Sequence, residues 1–209
     1  SHSVPTPRGG GVAVVCSYLL ALAVLMYSQQ LELHTGFTLM AAGFVIALLG
    51  FLDDHGHLNS LLRLAIHFLV AIGVVLGLGG FSEVTIFNGV QIGFIANIIA
   101  VLFLVWLLNL YNFMDGINGI TGGYSWVVLL ALAFINVQIV RFVEEALIYT
   151  MLCAVLVFNF FNFRKKAKCF AGDVGSVSIA FVILFLIGKL IIRTENFSWI
   201  ILLVVYGVD

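Results

Sequence analysis

The chain has 209 residues, 63% of them hydrophobic and 9% charged, whereas soluble domains carry about 25% charged residues, so a water-soluble globule is excluded. A formal net charge of -1 sets up no long-range field for a polyanion, which excludes nucleic acid as a partner. The three cysteines, Cys16, Cys153 and Cys169, are far apart and lack metal-ligand spacing, and they read as buried apolar fillers.

A hydrocarbon core about 30 Å thick takes roughly 17 to 25 apolar residues per helix. On that criterion the spans fall near Gly11–Tyr27, Phe37–Leu52, Leu61–Leu78, Ile92–Leu108, Ile120–Ile135, Ala146–Phe163, Val177–Ile192 and a short Phe197–Val208. The expected fold is an all-α integral membrane bundle of about eight transmembrane helices. It forms a single polytopic domain over 1–209, read as a fragment of a larger multi-span fold truncated at both ends. Between the third and fourth spans, Val84–Ile92 alternates around Asn88-Gly89 and predicts a small outer-face β-hairpin.

Antiparallel spans sort the connections into two sets by parity. One face receives Arg8, Arg63, Arg164, Lys165, Lys166 and Lys168, the other Arg141, Lys189 and Arg193, so the first is expected to be cytoplasmic. The same rule places Asp53, Asp54, Asp115, Asp173 and Asp209 on the cytoplasmic face and Glu32, Glu83, Glu144, Glu145 and Glu195 on the other. No carboxylate falls in mid-span, which argues against an ion-coupled transporter.

Four segments of the cytoplasmic face carry candidate chemistry. Pro5-Thr6-Pro7-Arg8-Gly9-Gly10-Gly11 opens the first span as an extended stretch followed by a glycine turn. Asp53 and Asp54 close the second span, and adjacent anions partly removed from water are more tolerable beside a divalent cation or a transferable proton. In Asn109-Leu110-Tyr111-Asn112-Phe113-Met114-Asp115-Gly116-Ile117-Asn118-Gly119 polar residues recur at every third position. Each step of three turns about 60° on a helix, so the four side chains cannot share one groove unless the helix breaks, and Gly116 and Gly119 supply the break. In the loop before the seventh span the cluster Arg164 to Lys168 precedes Gly172-Asp173-Val174-Gly175-Ser176. Free amides at a helix start attract phosphate while a bare carboxylate repels it, and magnesium bound to Asp173 reconciles the two.

Taken together and in order, Thr6 to Gly11, Phe51 to Asp54, Asn109 to Gly119 and Phe170 to Ser176 resemble the motifs of the polyprenyl-phosphate N-acetylhexosamine-1-phosphate transferases. That family includes the phospho-N-acetylmuramoyl-pentapeptide transferase of peptidoglycan synthesis. The resemblance implies catalytic roles for Asp53, Asp54 and Asp115, with one member of the aspartate pair activating the lipid phosphate. It implies a magnesium ligand in Asp173, supported by Asn112, with Mn2+ admitted in place of Mg2+. Asn109, Asn112, Asn118, Lys168, Gly172 and Ser176 are the implied substrate-binding positions. Asn118 stands where many bacterial members carry aspartate, and Arg164 to Lys168 replaces the usual Pro-Ala-Lys approach to the Gly-Asp element. An early span and a late His-containing loop of the family are not found, so an inactive family remnant is the alternative reading.

The implied reaction transfers N-acetylhexosamine 1-phosphate from a UDP-N-acetylhexosamine to polyprenyl (undecaprenyl) phosphate and releases UMP. This would be the first membrane step of cell-envelope polysaccharide synthesis, and the spelling Asn109 to Gly116 looks most like the O-antigen-initiating branch. The implied location is the bacterial inner membrane with the site on its cytoplasmic face. Membrane lipids are expected partners, and a homodimer is admitted.

Overall fold

The computed structural model describes residues 9–56, 58–86, 90–164 and 166–203. Seven helices are long and apolar enough to cross a membrane. They are α1 (Gly10–Tyr27), α2 (Leu33–Gly56), α3 (Ser60–Gly77), α4 (Phe94–Met114), α5 (Ile120–Gln138), α6 (Glu145–Asn162) and α7 (Gly172–Thr194). A short 3-10 helix, Phe197–Leu203, follows where the eighth span was expected. The rest of that span, Thr6 to Arg8, His57, Lys165, Asp209 and the hairpin tip lie outside the described residues.

The spans are apolar all round, so lipid and protein compete for the same side chains and position in the bundle decides burial. Around α7 the other helices form a ring in the order α1, α2, α3, α4, α5, α6, with α4 and α5 touching least. In α7, 89% of the span is buried, against 28–50% in the other six. Its Ile179, Ile183, Leu186 and Leu190 are fully enclosed. The ring turns Leu20, Phe37, Leu69, Phe94 and Phe134 outward, the pattern of a protein solvated by hydrocarbon, and the chain is a multi-pass membrane protein. Cys16 and Cys153 are exposed on this outer surface rather than buried, so only the half-buried Cys169 resembles the expected filler.

The hairpin is present as β1 (Thr85–Ile86) and β2 (Val90–Gln91), antiparallel, with Thr85 opposite Gln91. Thr85 also ties it to the far end of α7, its Oγ1 donating to the Glu195 carbonyl at 2.7 Å.

At the end of the bundle that carries the aspartates, three helices run several residues past the limits set by their apolar runs. The second span ends at Gly56 instead of Leu52, the fourth at Met114 instead of Leu108, and the seventh starts at Gly172 instead of Val177. Each extension carries polar side chains that find partners on neighbouring helices, so the helices continue where hydropathy stops. Asp53, Asp54, Asn109, Asn112 and Asp173 therefore sit on rigid helical turns.

Candidate functional site

The candidate site lies at the end of the bundle where α1, α3, α5 and α7 begin and α2, α4 and α6 end. There α1 and α2 meet α7 backbone to backbone. The amides of Gly10 and Gly11 donate to the carbonyls of Phe170 and Ala171 at 3.1 and 3.2 Å. A Cβ on Gly11 would collide with the Ala171 carbonyl and the Gly175 Cα, and one on Gly50 would lie 2.6 Å from the Val174 Cα. Side chains at these positions would push α7 away, so the glycines set how closely the acids of α2 approach the start of α7.

The two adjacent aspartates have different tasks. Asp54 accepts the amides of Asp173 at 3.2 Å and of Val174 at 3.3 Å, so it caps α7 from another helix and places negative charge at its positive end. These are the amides expected to be free for phosphate. In the structure Asp54 occupies both, because the glycine contacts bring the last turn of α2 within reach.

Asp53 takes different partners. Its Oδ1 accepts the Leu58 amide at 2.9 Å, and its Oδ2 takes Nη1 of Arg63 at 2.8 Å. The same Nη1 stands 3.6 Å from Asp173 Oδ2, so the two carboxylates flank one guanidinium nitrogen. Asp173 also receives Nδ2 of Asn112 at 3.1 Å, and the Asn112 oxygen accepts from Ser176 Oγ at 3.1 Å. Ser176 donates in addition to the Gly172 carbonyl at 3.0 Å. Four helices, α2, α3, α4 and α7, thus meet through Asp53, Arg63, Asn112 and Asp173.

The remaining members of the Asn109 to Asn118 series diverge. Helix α4 ends at Met114, and Gly119 takes the left-handed conformation at φ 84°. Asp115, just beyond α4, bonds Thr121 and lies within electrostatic range of Asp173 and Asp54. Burial pushes its carboxyl up to about 6; the Thr121 hydrogen bond lowers it, while the Asp173 and Asp54 charges raise it. Asn118 donates to the Arg164 carbonyl at 3.2 Å, joining the helix break to the basic loop. Asn109 is not brought to the carboxylates: its amide meets His67 at 3.3 Å and the Val105 carbonyl at 2.7 Å, deeper in the bundle. Lys168 is exposed, and its own amide fixes the loop to the Phe161 carbonyl at 3.0 Å.

In the amino-acid order Arg63 marks only a membrane face and Asn162 has no evident role. Asn162 accepts the Gly119 amide at 2.7 Å and donates to the Cys169 carbonyl at 2.9 Å. It therefore ties the break after α4 to the loop before α7. A lone arginine in the first turn of an apolar span and an asparagine ending another were the available signals.

The carboxylates of Asp53 and Asp173 flank one guanidinium, and those of Asp54 and Asp115 lie close by, Asp54 on the Asp173 amide and Asp115 within electrostatic range of both Asp173 and Asp54. All are hard oxygen donors, which suits Mg2+ or Mn2+ and not a soft metal. Among the described residues no group of three or more His, Cys, Asp or Glu is arranged to hold an ion alone. A Mg2+ site needs only one or two carboxylates when substrate phosphates and water complete it, so the residues fit such a cation.

Fold and site together define a polytopic membrane protein with an anionic polar basin at one end of its bundle. The sequence profile of glycosyl transferase family 4 matches residues 34–191, and the chain belongs to that family, in agreement with the resemblance carried by its motifs. It is 30% identical over 213 residues to the probable undecaprenyl-phosphate N-acetylglucosaminyl 1-phosphate transferase of Bacillus subtilis, covering 99% of this chain and 58% of that protein. The decaprenyl-phosphate N-acetylglucosaminephosphotransferase of Mycolicibacterium smegmatis is 31% identical over 208 residues, with 87% and 49% covered. For the phospho-N-acetylmuramoyl-pentapeptide-transferase of Streptococcus sanguinis the identity is 32% over 189 residues, with 82% and 55% covered. The chain spans about half the length of these relatives.

Proposed function

We propose that the protein transfers N-acetylhexosamine 1-phosphate from a UDP-sugar to polyprenyl phosphate, at the cytoplasmic face of a bacterial inner membrane, in cell-envelope polysaccharide synthesis. The observation that carries the reading is the meeting of Asp53, Asn112 and Asp173, from three helices, in one basin of a glycosyl transferase family 4 member, with Arg63 between the two acids and Asn112 bonded to Asp173. A phosphate oxygen of the lipid attacks the β-phosphorus of the nucleotide sugar. The bond from that phosphorus to the oxygen bridging it to the α-phosphate breaks, and UMP leaves.

A phosphate monoester has its second pKa near 6, so at neutral pH most of the acceptor is already dianionic. The demand on the protein is to hold two anions together more than to remove a proton. Asp173, with Asn112 setting its carboxylate, would hold a divalent cation, which when bound neutralises the diphosphate. Asp53, with its Oδ2 turned to the Asp173 side, is the member of the pair suited to orient the acceptor phosphate and take its residual proton. Asp54 is committed to the amides of α7 and serves by positioning Asp173. Asp115 and Asn118 hold the helix break that borders the basin. Lys168, exposed in the loop before α7, would attract a nucleotide by its charge.

The O-antigen-initiating branch rests on the spelling of Asn109 to Gly116, and the relatives act on N-acetylglucosaminyl and N-acetylmuramoyl substrates by name. Membranes bearing the full-length protein, given undecaprenyl phosphate and magnesium, are tested with UDP-linked GlcNAc, FucNAc and QuiNAc. The expected result is UMP release and a lipid-linked sugar diphosphate with one of them. UMP release from none, in membranes where the protein is shown to be folded, contradicts the proposal.

A further inference from the structure

Arg63 stands in the first turn of α3, behind the Asn59 cap whose side chain accepts the Leu61 amide at 2.9 Å. Its two carboxylate contacts are unequal. The 2.8 Å contact with Asp53 is a charge-assisted hydrogen bond, whereas the 3.6 Å approach to Asp173 is too long for one and acts through charge alone. Oδ2 of Asp53 and Oδ2 of Asp173 approach the same nitrogen, Nη1 of Arg63, and two carboxylates that close repel unless a cation or a proton lies between them. Asn112 brings a neutral dipole to Asp173 and no charge. Among the described residues Arg63 is the cation within ion-pair distance of either acid.

We propose that Arg63 is the resident counter-ion of the Asp53–Asp173 pair and that a divalent cation displaces it from Asp173. This rests on the reading of Asp173 as a cation ligand and adds a role for the arginine. A dication held on the Asp173 oxygens would lie within a few ångströms of the guanidinium and repel it. The arm that yields is the one toward Asp173, since it has no hydrogen bond to lose. The side chain is 31% exposed and has room to move, while the Asp53 bond keeps it at the rim of the basin.

Two consequences follow from the exchange. Without cation, Arg63 lets the carboxylate-rich ends of α2 and α7 pack together. During loading, it weakens cation binding, because the ion must first compete with a charge already in place. Occupancy by the ion alone is thereby disfavoured relative to occupancy together with the substrate diphosphate.

The test is Mn2+ binding to the purified full-length protein, stripped with chelator and free of nucleotide sugar, followed by paramagnetic resonance and by melting temperature. Arg63→Gln is expected to bind Mn2+ at least tenfold more tightly than wild type. It should also melt lower after chelation and gain more from added Mn2+. Equal or weaker Mn2+ affinity in Arg63→Gln overturns the proposal. If that variant cannot be recovered after chelation, the same titration of Arg63→Lys, with the charge on a shorter reach, is expected to show several-fold tighter binding, and unchanged or weaker binding overturns the proposal. Asp173→Asn separates the two readings. A wild-type Mn2+ site that Asp173→Asn leaves intact contradicts the cation reading and this proposal with it. A site that needs Asp173 but ignores Arg63 contradicts this proposal alone.

Discussion

The two ends of α7 are built from the same kind of helix and differ in how their glycines and acids are used. At the basin end Gly175 faces the backbone of α1, with a Cβ there falling 2.6 Å from the Gly11 Cα. At the opposite end a Cβ on Gly188 would meet only the tips of Leu78 and Phe81, at 3.2 and 3.5 Å. The acids follow the same division. Glu144 is satisfied locally by Arg141, through two bonds of 2.8 and 2.9 Å, and Glu32 by the Thr35 hydroxyl at 3.2 Å. At the basin Asp53 and Asp173 share one arginine, with Asp54 and Asp115 crowded beside them. A membrane bundle can be closed with apolar contacts and isolated ion pairs, as its far end shows. The basin end keeps like charges together and brings backbones close to hold them there, a local conflict of the kind that marks functional sites.

The glycine pair gives the largest test of this difference. Gly175→Ala is expected to cost about 1–3 kcal/mol through overpacking against backbone and to abolish transfer. Gly188→Ala should stay within about 1 kcal/mol of wild type, since flexible tips can yield and alanine favours the helix. Thermal unfolding in detergent and UMP release check both. If both variants behave alike, close backbone approach is not what distinguishes the ends.

Next in size is the split between the adjacent aspartates. Asp54→Ala leaves two α7 amides without their acceptor, at an expected cost of about 0.5–2 kcal/mol, and weakens cation dependence through a misplaced Asp173. Asp54→Asn keeps an oxygen for one amide and should recover much of both. Equal defects in the two variants, measured by melting and by magnesium titration of turnover, would assign Asp54 a charge-dependent role instead of a capping one.

Asp115 carries a pH signature. Its folded pKa of about 6 lies above the ordinary 3.8, so the folded chain holds a proton that the unfolded chain releases between those values. The stability it contributes is fully present below 3.8 and is lost as pH rises through about 6. In chelated protein, Asp115→Asn should therefore stabilise more at pH 7.5 than at pH 5, as read from melting temperatures. The same gain at both values would contradict the burial and crowding assigned to Asp115. The smallest effect is expected at the other end, where Glu144→Gln removes an exposed pair and should shift stability by no more than about 0.5 kcal/mol, with turnover unchanged.

Much of this architecture is legible in the amino-acid order. Apolar runs locate the seven spans, alternation around Asn88-Gly89 locates the hairpin, and parity brings residues far apart in sequence to one face. Helix ends are less legible, because Asp53, Asn112 and Asp173 look like the limits of apolar runs, yet partners from other helices keep them helical. Hydropathy also does not single out α7 as the centre, since an apolar surface can meet lipid or protein equally well. Parity places Asp53 and Asp54 beside Asp173 but cannot say which of them takes the α7 amides. That choice depends on the direction of successive side chains around the last turn of α2. Arg63 and Asn162 escape notice because their roles lie in partners brought by tertiary packing.

The central claim is that Asp53 of α2 and Asp173 of α7 work as parts of one site. A double-mutant cycle on the full-length protein tests it through magnesium-dependent UMP release by Asp53→Asn, Asp173→Asn and the combined variant. The account predicts that each single change lowers turnover at least about a hundredfold and that the combined variant is hardly worse than the poorer single one. Losses that multiply in full, or wild-type turnover in either single variant, would contradict it.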